Sequence, residues 1–102
     1  MTLRSRLETV RTIERERVLA VVRLADAAPL VNVVEALAAG GVHVVEITMT
    51  IPGALEAMAT LGKKHHLGVL VGAGSVLDPV TARLAILEGA RFIVGPTFRP
   101  AV

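Results

Sequence analysis

The stretch Gly41-Val42-His43-Val44-Val45-Glu46-Ile47-Thr48-Met49-Thr50-Ile51-Pro52 restricts this chain more than any other. Between a Gly-Gly turn and a proline it is mostly β-branched, the pattern of a buried strand over residues 42–48. Apolar residues at helical spacing precede it (Leu30, Val33, Val34, Leu37) and follow it (Leu55, Met58, Ala59, Leu61). A strand set between two one-sided helices belongs to βαβ units, so its sheet is expected to be parallel.

The same alternation runs through the chain. A leading segment, 1–16, carries a helix over 4–16, and Arg17 to Arg23 is a short apolar run bounded by arginines, read as the first strand. Asp26 is placed to cap a helix over 27–39, with Pro29 in its first turn and Gly40-Gly41 as its stop. Pro52 opens a helix over 52–64 that ends in Lys63-Lys64. Leu67 to Val71 is a third strand, closing in a Gly72-Ala73-Gly74-Ser75 turn. Asp78-Pro79 starts a helix over 79–88, Gly89 stops it, and Arg91 to Val94 is a fourth strand ending at Gly95-Pro96.

Leu37-Ala38-Ala39-Gly40-Gly41 before one strand is echoed by Ile86-Leu87-Glu88-Gly89-Ala90 before another. Such an echo fits the (β/α) repeats of a TIM barrel, and a doubly wound sheet would show it too. A complete barrel takes eight strands and about 250 residues. The fold class expected is therefore α/β with about four of eight barrel strands, residues 1–102 forming the N-terminal half of a single (β/α)8 domain. Four parallel strands alone would leave both sheet edges unpaired.

Composition narrows the function. With 53% hydrophobic and 20% charged residues, the chain is core-rich. Phe92 and Phe98 are its only aromatics, too few for stacking bases. The net charge of +2 is uneven: residues 1–23 hold six arginines against three glutamates. On a helix such charge reads as a solvated face beside Leu3, Leu7, Val10 and Ile13, not as a nucleic-acid surface. The absence of cysteine fits a cytoplasmic protein, and neither a secretory signal nor a membrane span is recognisable. His65-His66 lacks neighbouring acids and makes a poor metal site, and no Ser-His-Asp arrangement is legible.

Glu46 is the outstanding candidate for chemistry. Side chains alternate along a strand, so Val42, Val44, Glu46 and Thr48 share one face while His43, Val45 and Ile47 share the other. Helices over the Val45 and Ile47 face would leave Glu46 and Thr48 pointing into a barrel interior, near the C-terminal end where barrel chemistry resides. A carboxylate placed there suits proton transfer. The competing reading pairs it structurally with Arg23 at the end of the neighbouring strand. Arg23 could clamp a carboxylate or phosphate, or simply sit at a wet rim. Gly72-Ala73-Gly74-Ser75 would let a ligand approach the backbone and offers the Ser75 hydroxyl, or is a plain turn.

Ala39-Gly40-Gly41-Val42, Val45-Glu46-Ile47-Thr48 and Gly72-Ala73-Gly74-Ser75, in that order and spacing, resemble the class I aldolases that cleave 2-keto-3-deoxy-6-phosphogluconate and 4-hydroxy-2-oxoglutarate. The likeness runs from about Val18 to Pro96. It implies a lysine Schiff base with the keto group, pyruvate and an aldehyde as products, and no metal or other cofactor. Glu46 matches the family's proton-moving glutamate, Arg23 its arginine for the substrate's anionic group, and Gly74-Ser75 its substrate-positioning turn, with serine for threonine. Thr48 is the strand threonine, and the resemblance implies that it, Thr50 and Pro96 contribute to substrate binding. Thr50 stands where many members have arginine, and Gly95-Pro96 replaces the family's Ser-Pro, keeping Pro96. The Schiff-base lysine belongs to the sixth strand, which residues 1–102 do not reach. Lys63 and Lys64 end an outer helix instead.

The resemblance also implies a small-molecule keto-acid substrate and a homo-oligomer, trimers being common in the family. Neither nucleic acid nor membrane is an expected partner. Two other readings stay open: a non-catalytic half-barrel assembling through its sheet edges, and a related phosphate-binding barrel enzyme without an imine.

Overall fold

A computed structural model describes residues 5–102. Helix α1 (Arg6–Glu16) is followed by β1 (Ala20–Val22), α2 (Leu30–Ala39), β2 (Val44–Thr48), α3 (Ala54–Gly62), β3 (Leu70–Gly74) and α4 (Pro79–Leu87). Helices and strands alternate from α1 to α4, giving an α/β fold with one parallel sheet in the order β1-β2-β3. The first four residues of the leading segment, including the start expected for its helix and Leu3, lie outside the described residues.

Local chemistry sets the boundaries. Ser5 and Glu8 form a reciprocal capping box at the start of α1, each side chain accepting from the other's backbone N–H at 3.1 and 2.8 Å. Helix α2 ends in a Schellman motif: Gly41, at φ +97°, donates to Ala38 and Val42 donates to Leu37. Asp78 caps α4, accepting from the Thr81 N–H at 2.7 Å and from the Thr81 hydroxyl at 2.8 Å.

Several expected boundaries move. Arg17 does not begin a strand; at φ +63° it closes α1, its N–H bonded to Ile13, and β1 shortens to three residues. Asp26 accepts from the Ala28 N–H at 2.9 Å and so shapes the turn before α2, whose cap is Pro29. Pro52 lies in the turn before α3, because Gly53, at φ +78°, is that helix's cap. Gly72-Ala73-Gly74 is not a turn: the glycines stay extended and pair along β2 to the end of β3.

The expected fourth strand is reduced to a single bridge, Ala73 to Ile93. Residues 91–94 do lie beside β3: Arg91 donates to Val71, Ala73 to Phe92 and Val94 to Ala73 at 2.8–3.0 Å. Among the described residues no strand flanks their other side, and the chain bends at Pro96. In α1, Thr9 and Thr12 are the buried residues, whereas Leu7 and Val10 are exposed. The apolar stripe there does not mark the packed face.

Helices cover one face of the sheet. Val45 and Ile47 of β2 pack into a core with Leu30 and Val34 of α2, Met58 and Leu61 of α3, and Ala82 and Ala85 of α4. Full burial of side chains such as Ile47 contributes about 1.5–3 kcal/mol each and holds the middle strand in one register. The opposite face carries Val44, Glu46 and Thr48, in line with Leu70, Gly72 and Gly74 of β3.

Candidate functional site

Register builds the site. Val21, Glu46 and Gly72 lie side by side across the three strands, and Thr48 lies beside Gly74. Because all strands point the same way, their C-terminal ends share one edge. Arg23 follows β1 there, Thr50 follows β2, Ser75 follows β3, and Gly95-Pro96 follows the segment beside β3. All seven residues expected at the site, Arg23, Glu46, Thr48, Thr50, Gly74, Ser75 and Pro96, fall in the last pleats of the sheet or just beyond it.

Glu46 is only 8% exposed. Its carboxyl leans toward the C-terminal edge, over the bare backbone of Gly74. Among the described residues it has neither a hydrogen bond nor an ion pair with protein. No described buried side-chain oxygen is both sealed from solvent and unpaired, so the carboxyl oxygens keep contact with water. The pairing of Glu46 with Arg23 does not form: Arg23 is exposed, and the described ion pair is that of Lys64 with Glu35 at 3.4 Å. A nearly buried carboxylate that spends no oxygen on the protein has both available for a ligand.

Thr48 is fully buried, and its hydroxyl donates to the Val22 carbonyl at 3.3 Å. A 2.9 Å hydrogen bond joins it to the Thr50 hydroxyl, and Thr50 is exposed. Thr48 thus ties β1 to β2 immediately before Arg23. Ser75 is partly buried with φ +56°, a backbone state that serine rarely adopts. Val76, next in the chain, donates to Val94 at 3.1 Å and brings the Gly95-Pro96 turn alongside.

Two contacts in this region are not read from the sequence. Phe92 lays its ring over Gly72, and Gly74 makes room for Glu46. Glycines at alternate positions of a strand mark close approach on one face, and that spacing was the signal.

The protein-family model for KDPG and KHG aldolases matches residues 10–102. The chain belongs to that family. Over 93 residues it is 41% identical to the 2-dehydro-3-deoxy-phosphogluconate aldolase of Treponema pallidum, covering 88% of this chain and 42% of that protein. The solved 2-keto-3-deoxy-6-phosphogluconate aldolase of Zymomonas mobilis ZM4, crystallised with 3-phosphoglycerate, superposes with a TM-score of 0.77 at 34% identity, over 89% of this chain and 44% of its own. The KDPG aldolase of Legionella pneumophila, with pyruvate captured at low pH as a covalent carbinolamine, superposes with a TM-score of 0.74 at 31% identity, over 81% and 40%. The chain spans 36–43% of the length of three relatives it matches. No described helix is long and apolar enough to cross a membrane.

Proposed function

We propose that this chain supplies the proton-transfer half of a pyruvate-forming class I aldolase site, acting on a 2-keto-3-deoxy sugar-acid phosphate or 4-hydroxy-2-oxoglutarate. The observation that carries the reading is Glu46: a nearly buried carboxylate without a partner among the described residues, at the centre of the middle strand and leaning toward its C-terminal end, in a member of this family.

Aldol cleavage through an imine needs a group that gives and takes protons beside the reacting carbons. An amine adds to the keto group, and water leaves as the iminium forms. The substrate's hydroxyl proton must then be removed as the carbon–carbon bond breaks and its electron pair flows to the iminium. In this reading Glu46 protonates the departing hydroxyl and accepts the proton during cleavage. Arg23 takes the anionic group, Ser75 and the backbone of Gly74 position substrate, and Thr48 holds the β1 end that carries Arg23. Thr50 and Pro96 frame the mouth.

The fold supports a barrel as the setting. Strands β1, β2 and β3 and the segment 91–94 are neighbours in chain order, without the reversal of a doubly wound sheet. The outer edge of β1 is unpaired among the described residues, as the first strand of a half-barrel would be. A homo-oligomer accords with the family likeness.

The amine is expected from outside residues 1–102. Lys63 caps α3 and Lys64 pairs with Glu35, just before β3 begins and so at the opposite edge of the sheet from the Glu46 carboxyl. Borohydride added with pyruvate is therefore expected to leave the mass of the 102-residue chain unchanged. A reduced pyruvyl adduct on Lys63 or Lys64 would overturn this arrangement. In protein that carries the Schiff-base lysine, Glu46→Gln is expected to slow cleavage by about 10²–10⁴-fold. A rate within a few fold of the parent would remove Glu46 from the chemistry.

A further inference from the structure

Gly72 and Gly74 are separated by one pleat of β3, so both lack a side chain on the face that carries Glu46. Neither has a positive φ, so these positions supply space, not backbone freedom. The two gaps are filled differently. A Cβ on Gly72 would run into the ring of Phe92, and a Cβ on Gly74 would run into Cγ, Cδ and Oε1 of Glu46.

Glu46 is in register with Gly72, yet its carboxyl lies over Gly74, one pleat nearer the C-terminal edge. The place directly beside it is taken by Phe92. No described hydrogen bond or ion pair orients the carboxyl, so among the described residues its place is set by packing.

We infer that Gly74 is a positioning residue for Glu46: its missing side chain is the seat of the carboxyl, and Phe92 over Gly72 closes the alternative seat. The function of the seated carboxyl rests on the aldolase reading, whereas the seat is a matter of packing. A methyl group at position 74 meets Cγ, Cδ and Oε1 of one flexible side chain, not backbone, and that side chain can turn about its own bonds to avoid it. Gly74→Ala is thus expected to fold, with the carboxyl displaced. Misplacing a reacting group by about 1 Å costs on the order of 10²-fold in rate, so in protein that carries the Schiff-base lysine kcat is expected to fall by about that factor while KM changes little.

The test uses protein that carries the Schiff-base lysine, with ¹³C-labelled glutamate, the Glu46 carboxyl resonance being assigned by its loss in Glu46→Gln, and pyruvate as the probe. A nuclear Overhauser contact between the Glu46 γ-protons and the Gly74 α-protons is expected in the parent and should weaken in Phe92→Ala. Pyruvate is expected to shift the parent's Glu46 resonance and to leave that of Gly74→Ala unmoved at an unchanged melting temperature. A Gly74→Ala resonance that answers pyruvate as the parent does overturns the positioning role. Absence of the proton contact in the parent overturns the seat itself. A parent that shows the contact but ignores pyruvate keeps the seat and counts against the aldolase reading.

Discussion

The Thr48 hydroxyl donates to the Val22 carbonyl at 3.3 Å and therefore accepts from Thr50 at 2.9 Å, since a hydroxyl carries one proton. This relay, Thr50 to Thr48 to Val22, joins the ends of two strands at the edge where Arg23 leaves the sheet. Thr48→Val keeps the shape and removes both bonds, leaving the Val22 carbonyl without this donor. Urea denaturation is expected to show a loss of about 1–3 kcal/mol. Thr48→Ser, which keeps the hydroxyl, is expected to lose less than Thr48→Val. A larger loss in Thr48→Ser than in Thr48→Val would mean that the methyl group matters more than the bond here.

Ser75 poses the opposite balance, with local strain beside a candidate ligand contact. At φ +56° a residue with a Cβ carries roughly 1–2 kcal/mol of conformational cost, and a β-branched one more. Ser75→Gly relieves the strain but adds freedom to the unfolded chain, so stability is expected to stay level or rise by up to about 1 kcal/mol. Ser75→Val is expected to lower it. If the hydroxyl positions substrate as proposed, Ser75→Gly raises KM in the aldolase reaction despite its intact stability. An unchanged KM would take the hydroxyl out of the site.

Gly72 faces a ring, not a flexible chain end, so its substitution should be felt in folding. Gly72→Ala forces Phe92, which is half-buried, out of place and is expected to cost about 1–3 kcal/mol by overpacking. Combining it with Phe92→Leu, which vacates part of that space, should cost less than the two single changes summed, by at least about 0.5 kcal/mol. Additive losses would show that the two positions do not share one space.

What could be read in the sequence and what could not divide along a physical line. The parallel alternation of β2 with its flanking helices is carried by dense apolar periodicity, and it is legible. So is the placement of Arg23, Glu46 and Ser75 toward or just past the C-terminal ends of neighbouring strands, because the strands are parallel. The errors lie where glycine or polar residues have two uses. Gly72 and Gly74 read as a turn because glycine is commonest there, yet here the absent side chains admit Phe92 and Glu46 from elements distant in the chain. Arg17 reads as strand from its apolar neighbours, although it adopts the left-handed conformation that ends a helix. The bare Glu46 carboxyl was equally illegible: both Arg23 pairing and solvation satisfy the same residue types, and geometry chooses.

Asp78 links the start of α4 to acidity. Hydrogen bonds from the Thr81 backbone N–H, and then from its hydroxyl, hold this carboxyl below its ordinary pKa of 3.8. The unfolded chain therefore binds the proton more readily than the folded one. The stabilisation is complete above about pH 3.8 and is lost as pH falls through the lower folded value. The melting temperature is expected to drop through that acid window by more in the parent than in Asp78→Asn, whose amide oxygen can still cap the helix but does not titrate. At neutral pH, Asp78→Ala is expected to melt a few degrees below the parent, as loss of an N-cap does in a domain of this size. Parallel acid profiles for parent and Asp78→Asn would show that the acid loss arises at other carboxylates.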